Sequence, residues 1–153
     1  MTAAPSAEPV PRTLTDGELS AVLSAHRFGV LAAVRRTGHP HLSTVVYQWD
    51  PAARLLRVSS TASRVKTRLL RRDPHAALHV AAADHMTFAV AEGLAEVSPP
   101  TTTPGDATGR ELLPLLGLSG DPDEEAAALE KLVAEERVVL RLRVDRLYGM
   151  TLS

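Results

Sequence analysis

The chain contains no cysteine. That excludes disulfides, thiolate metal centres and a cysteine nucleophile together. Aromatic residues are scarce as well: two phenylalanines, two tyrosines and one tryptophan, or 3% of 153 residues. Proteins that grip single-stranded nucleic acid stack its bases on aromatic platforms, and few are available here. Neither sign of charge is in excess, with 17 basic against 18 acidic residues and a formal net charge of −1. A general nucleic-acid binder is basic throughout, so no nucleic-acid partner is expected. No apolar run approaches the roughly 18 residues of a membrane-crossing helix, and no membrane partner is expected either. The opening "MTAAPSAEPVPRT" lacks the basic and apolar regions of a secretory signal. The expected location is the cytoplasm.

What is present fits one compact domain. Residues 1–13 are rich in alanine and proline and read as a flexible N-terminal arm. In "LTDGELSAVLSAHR", Thr15 and Glu18 have the spacing of a capping box, and Leu14 and Leu19 that of a hydrophobic staple. The period then changes from helix to strand. "FGVLAAV" and "HLSTVVYQWD" flank a turn that carries Gly38 and Pro40, and "DPAAR" leads on into "LLRVSS", so three strands follow as a meander. "AALHVAA" and "TFAVAEGLAEVSP" form a further pair around "ADHM". A linker, "PPTTTPGDATG", precedes a helical insert at about residues 106–136, in which Asp121 and Pro122 read as N-cap and first helical position. "VVLRLRVDRLYGM" alternates as a closing strand. The expected fold is mainly β with flanking helices: a six-stranded antiparallel barrel in residues 14–153.

One segment stands apart. "SSTASRVKTRLLRRDP" holds Arg64, Lys66, Arg68, Arg71 and Arg72 between Ser59 and Pro74. A helix over Ser63–Arg72 would put Val65 and Leu69 on one stripe, with Leu70 at its edge, and most arginines opposite. Lys66 falls between Leu69 and Leu70, on the flank turned towards the protein. An ammonium buried there needs an anionic partner. Ser59, Ser60, Thr61 and Ser63 cluster where a strand ends and a helix begins, and a helix N-terminus offers unpaired N–H donors. With Arg64 and Lys66 these groups would hold a phosphate. The residues alone leave a second reading open, in which the arginines form a solvated face and Lys66 snorkels to the surface.

The order "GHPHLSTVVYQWDPAARLLRVSSTASRVKTRLLRRDPHAALHV", then "FAVAEGLAEVSPP" and the late "LYG", resembles the pyridoxamine 5'-phosphate oxidase-like split β-barrel superfamily. It looks most like the branch that uses the deazaflavin coenzyme F420, over about Leu14 to Met150. The resemblance implies a homodimer with cofactor sites at the interface and a hydride transfer to a small-molecule substrate. It implies that Ser59, Ser63, Arg64 and Lys66 hold the cofactor phosphate. Ser43, Val45, Val46 and Gln48 would lie against the ring, with His85 and Met86 of the second subunit as further pocket residues. A basic C-terminal motif for pyridoxamine phosphate is missing, so pyridoxamine oxidation is not expected.

With no nucleophile–base constellation, the chemistry would belong to the cofactor, and no side chain is assigned as proton donor. Tyr47 and His85 are read as packing and surface residues. Coenzyme F420 is the expected cofactor, FMN the alternative, and no metal is expected. The deazaflavin carries a phosphodiester and an anionic oligoglutamyl tail, for which Arg68, Arg71, Arg72, Arg35 and Arg36 are candidates. A non-catalytic cofactor carrier or a haem-binding barrel are the other readings. The six histidines show no diagnostic spacing: His39 and His41 sit at a turn, and His75 and His79 flank one strand.

Overall fold

The computed structural model describes residues 2–4 and 8–152. The capping box forms as its spacing predicts. The Glu18 amide donates to Thr15 Oγ1 at 3.2 Å, and Glu18 Oε1 accepts from the Thr15 amide at 3.1 Å. Helix α1 (Asp16–Ala25) follows, with Leu14, Leu19 and Leu23 buried beneath it. Part of the arm lies outside the described residues. Its last two residues are not free: Arg12–Thr13 form a short strand, β1, and Arg12 pairs with Glu18 at 3.0 Å. The folded body therefore begins at Arg12 rather than Leu14.

The meander is β2 (Phe28–Val34), β3 (Pro40–Asp50) and β4 (Leu55–Thr61). After helix α2 (Val65–Arg72) come β5 (His75–Ala81) and β6 (Thr87–Val97). Helices α3 (Ala107–Leu112) and α4 (Pro122–Ala134) flank a 3-10 turn at Leu113–Leu116, and the long β7 (Arg137–Thr151) closes the chain. The sheet order is β1-β7-β4-β3-β2-β5-β6, with β6 also bonded to β7. That last pairing closes a six-stranded antiparallel barrel, as expected, and leaves β1 as an extra strand. Closure leaves the six strands no free edge.

β7 is long enough to serve two neighbours. Its first half pairs with β4, from Thr61↔Arg137 to Leu55↔Arg143, while Leu140–Thr151 pairs with β6. Leu31, Val45, Tyr47, Leu56, Val58, Leu78, Ala89, Leu140 and Leu142 fill the interior. A register shift at Glu92/Gly93 bends β6 across β7. At Gly93 the two strands come so close that a Cβ would collide with the Arg143 carbonyl, so only glycine fits.

The insert is tied down by charge and by capping. Glu111 accepts from Arg57 Nε at 2.9 Å and from Arg141 Nε at 2.7 Å, anchoring α3 to β4 and β7. The expected linker is an ordered loop. Asp106 accepts from the amides of Thr102, Thr103 and Gly109 and from Thr101 Oγ1. Those donors hold its carboxyl well below the usual range.

Candidate functional site

Helix α2 starts two residues later than the composition suggests. Arg64 is its N-cap, in an extended conformation and without a side-chain capping bond. Ser63 and Arg64 are exposed just ahead of the first turn. The helix is also rotated relative to the expected stripe. Thr67 and Leu70 are its buried residues, Leu69 is partly buried, and Val65 is exposed. The reason is a polar lock that a hydrophobic pattern does not register. The Thr67 hydroxyl lies 2.8 Å from Ser60 Oγ and 2.8 Å from the Thr61 carbonyl, pinning that face to the end of β4.

The same lock removes Ser60 from any ligand, because its side chain is buried and engaged with Thr67. Its neighbour Ser59 points the other way, as alternation along a strand requires. Ser59 lines a cleft of about 520 Å³ together with Thr44, Val45, Val46 and Lys66. The opposite wall comes from the insert and the start of β7: Leu115, Leu116, Leu118, Ala128, Leu132, Lys131, Glu135 and Arg137. Each wall combines apolar side chains with cations: Val45 and Val46 with Lys66 on one, the leucines with Lys131 and Arg137 on the other.

Lys66 is the electrostatic centre. It is partly buried on the flank of α2 that faces the protein, and no carboxylate pairs with it among the described residues. Burial pushes its pKa down, and repulsion from Arg64 and Arg137 adds to this. Many of the other cations are neutralised: Arg12, Arg54, Arg57, Lys131, Arg137, Arg141, Arg143 and Arg146 each meet an acidic side chain. A partly buried ammonium with no carboxylate partner among the described residues, beside a serine hydroxyl and a helix start, is an arrangement that could hold an anion.

The residues expected against a ring divide by strand parity. Val45 and Ser43 share the inward face of β3, whereas Val46 and Gln48 point outward. Ser43 Oγ and His41 Nδ1 are buried without a hydrogen-bond partner. Gln48 lies in a separate hollow with His26, Arg27 and Pro114. His85 and Met86 are exposed in the β5–β6 turn, where His85 adopts a left-handed φ of 60°. They do not line the cleft of their own chain. Thr61 contributes its carbonyl to the lock rather than its hydroxyl to the cleft.

Sequence reasoning missed Thr44, Arg137, Glu135 and the leucines of the insert. Alternation from Val46 would have located Thr44. Nothing local marks the others, which lie 49 or more residues from Lys66 in the chain. No group of three or more metal-ligating side chains forms among the described residues. No helix among them is long and apolar enough to cross a membrane.

A closed six-stranded barrel with a helix after β4 and a cationic cleft beside it defines the split-barrel class. Within that class the match is specific. The family model for pyridoxamine 5'-phosphate oxidase covers residues 15–150, and the chain belongs to this family. Solved structures share the fold. A conserved hypothetical protein from Mycobacterium tuberculosis superposes with a TM-score of 0.71 at 21% identity, covering 98% of this chain and 91% of that one. An F420 reductase matches with a TM-score of 0.61 at 26% identity, over 84% of this chain and 94% of its own. A FAD-binding protein from Mesorhizobium loti gives 0.63 at 22% identity, over 92% and 96%.

Proposed function

We propose that this protein is a homodimeric oxidoreductase that binds the deazaflavin coenzyme F420 in the Lys66 cleft and moves a hydride between it and a small organic acceptor. The observation that carries the reading is Lys66 itself, a partly buried cation in the cleft with no carboxylate partner among the described residues. The cleft volume of about 520 Å³ suits a tricyclic ring with a phosphate-bearing chain. The kinship with an F420 reductase supports the deazaflavin, and the kinship with a FAD-binding protein keeps FMN as the alternative.

The deazaflavin, when bound, supplies the two-electron hydride chemistry. The chain's own residues bind and orient. Lys66 would hold the phosphate charge, with Ser59 and Thr44 offering hydroxyls beside it. Val46 and the leucines of the insert exclude water with their apolar side chains. Tyr47 holds no transferable proton: its hydroxyl donates to the Leu23 carbonyl at 2.6 Å, and burial pushes its pKa up. No side chain is assigned as the acceptor's proton donor in this scheme.

An apolar outer face supports the dimer. Phe28 and Leu42 are each 62% exposed on this face. In register, Phe28 sits opposite Val46, and Met150 opposite Phe88, on the same outward side. The test is a pair of fluorescence titrations, with the deazaflavin coenzyme and with FMN, repeated on Lys66→Ala. Tighter deazaflavin binding that weakens more than tenfold in the variant is expected. FMN preference would move the chain to flavin chemistry, and binding of neither would overturn the reading.

A further inference from the structure

We propose that Glu135 is a charge-selectivity residue of the cleft, disfavouring a second negative charge on the ligand so that a singly charged phosphodiester is preferred to a doubly charged phosphate monoester. This rests on the reading of the cleft as a flavin-type cofactor site and deepens it.

The placement of Glu135 is unusual. It caps the C-terminus of α4, and the next residue, Glu136, adopts a left-handed φ of 51°. That conformation is strained for a residue with a side chain. It is held by the Ala62 amide, which donates to the Glu136 carbonyl at 3.0 Å. The turn sets Glu135 and Arg137 together at the lip of the cleft. Arg137 Nε meets Glu135 Oε2 at 2.7 Å, and Lys131 Nζ stands 3.8 Å from Oε1.

The charged groups lining the cleft are Lys66 from α2, Lys131 and Glu135 from the end of α4, and Arg137 from β7, and Arg64, outside the lining, is near enough to repel Lys66. No histidine lines it. Among the described residues Glu135 is thus the one anion in the lining, and it already engages Arg137. A phosphodiester carries a single charge, which Lys66 can meet. A phosphate monoester has a second pKa near 6 and carries about −1.5 to −2 at neutral pH. The added charge faces Glu135 and finds Arg137 already committed.

The test uses FMN and its 5'-methyl phosphodiester, which share ring and chain and differ in charge. Both are titrated into the wild type, Glu135→Gln and Glu135→Asp, at pH 8 and pH 5, with the deazaflavin coenzyme alongside. At pH 8, Glu135→Gln should raise the affinity for FMN relative to the diester by about tenfold. Glu135→Asp keeps the charge and should leave the ratio within about threefold of the wild type. At pH 5 the monoester has one charge, while Arg137 keeps Glu135 below the usual carboxylate range and so ionised. The Gln effect should then vanish.

A shift that is absent at pH 8, or equal at both pH values, overturns the inference and leaves the cofactor reading standing. So does deazaflavin binding with no FMN binding in Glu135→Gln. Failure of all three ligands to bind overturns both.

Discussion

Replacing Lys66 by methionine should weaken the cofactor and strengthen the empty protein, and the opposite signs make the test sharp. In the bare cleft the ammonium has lost water and gained no carboxylate, and Arg64 and Arg137 repel it. A phosphate supplies the missing charge. A charge-assisted hydrogen bond contributes about 1.5–3 kcal/mol net, which is roughly 10- to 150-fold in Kd. Methionine keeps the stem's apolar contacts and removes the charge. Deazaflavin Kd, read by fluorescence, should therefore rise about 30-fold, near the middle of that range. Without ligand, the melting temperature should rise by about 1–2 °C, equivalent to roughly 0.5 kcal/mol. The sign follows from linkage. A lysine whose folded pKa lies below its unfolded one destabilises the fold while charged, and this is relieved as pH rises through the lowered value. In the wild type, affinity should accordingly begin to fall below the ordinary lysine pKa of 10.5. If Lys66 were purely structural, the methionine variant would lose cofactor affinity and melting temperature together. A Kd within threefold of the wild type, or a melting temperature that drops, refutes the reasoning.

Other perturbations probe the frame around the cleft. Glu111→Gln takes the shared carboxylate from two arginines that are only about a quarter exposed, leaving Arg57 to Asp50 and Arg141 to Glu96, and should cost about 1–2 kcal/mol in urea unfolding at pH 7. Because Arg141 and Arg57 hold Glu111 below 4.5, its stabilisation is whole above that pH and is lost as pH falls through the folded value. Wild type and variant should converge in acid; a constant gap would contradict the assignment. Gly93→Ala drives a methyl into the Arg143 carbonyl, and calorimetry should show a loss of about 1–3 kcal/mol or more. An unchanged melting temperature would mean that β6 and β7 are not so close. Thr67→Val leaves the buried Ser60 hydroxyl with only its long 3.5 Å contact to the Thr61 carbonyl, at about 1–3 kcal/mol. Exchange of α2 amides, followed by NMR, should quicken more than that of β2, and uniform protection would argue against the lock.

Much of this architecture is local and was legible without coordinates. The Thr15–Glu18 box, the Asp121–Pro122 helix start and the alternating strands each depend on neighbours within a few positions, so their residue types suffice. The cluster that drew attention to Lys66 belongs to the same class. A helix turns about 100° per residue, which sets Lys66 between Leu69 and Leu70 around the helix from the sequence alone. The precise rotation of α2 was not legible, because a threonine buried for its hydroxyl reads as polar in any hydrophobic pattern.

The chain order alone thus determined the barrel, its helices and the cation in search of an anion. Tertiary structure decided what faces that cation. Arg137 reaches the cleft because β7 pairs with β4 at Thr61, and Glu135 because Glu136 turns left-handed beside it. The leucine wall exists because Arg57 and Arg141 hold α3 through Glu111. Pairings between segments so far apart are selected by closure of the whole sheet, and no short stretch of sequence encodes them.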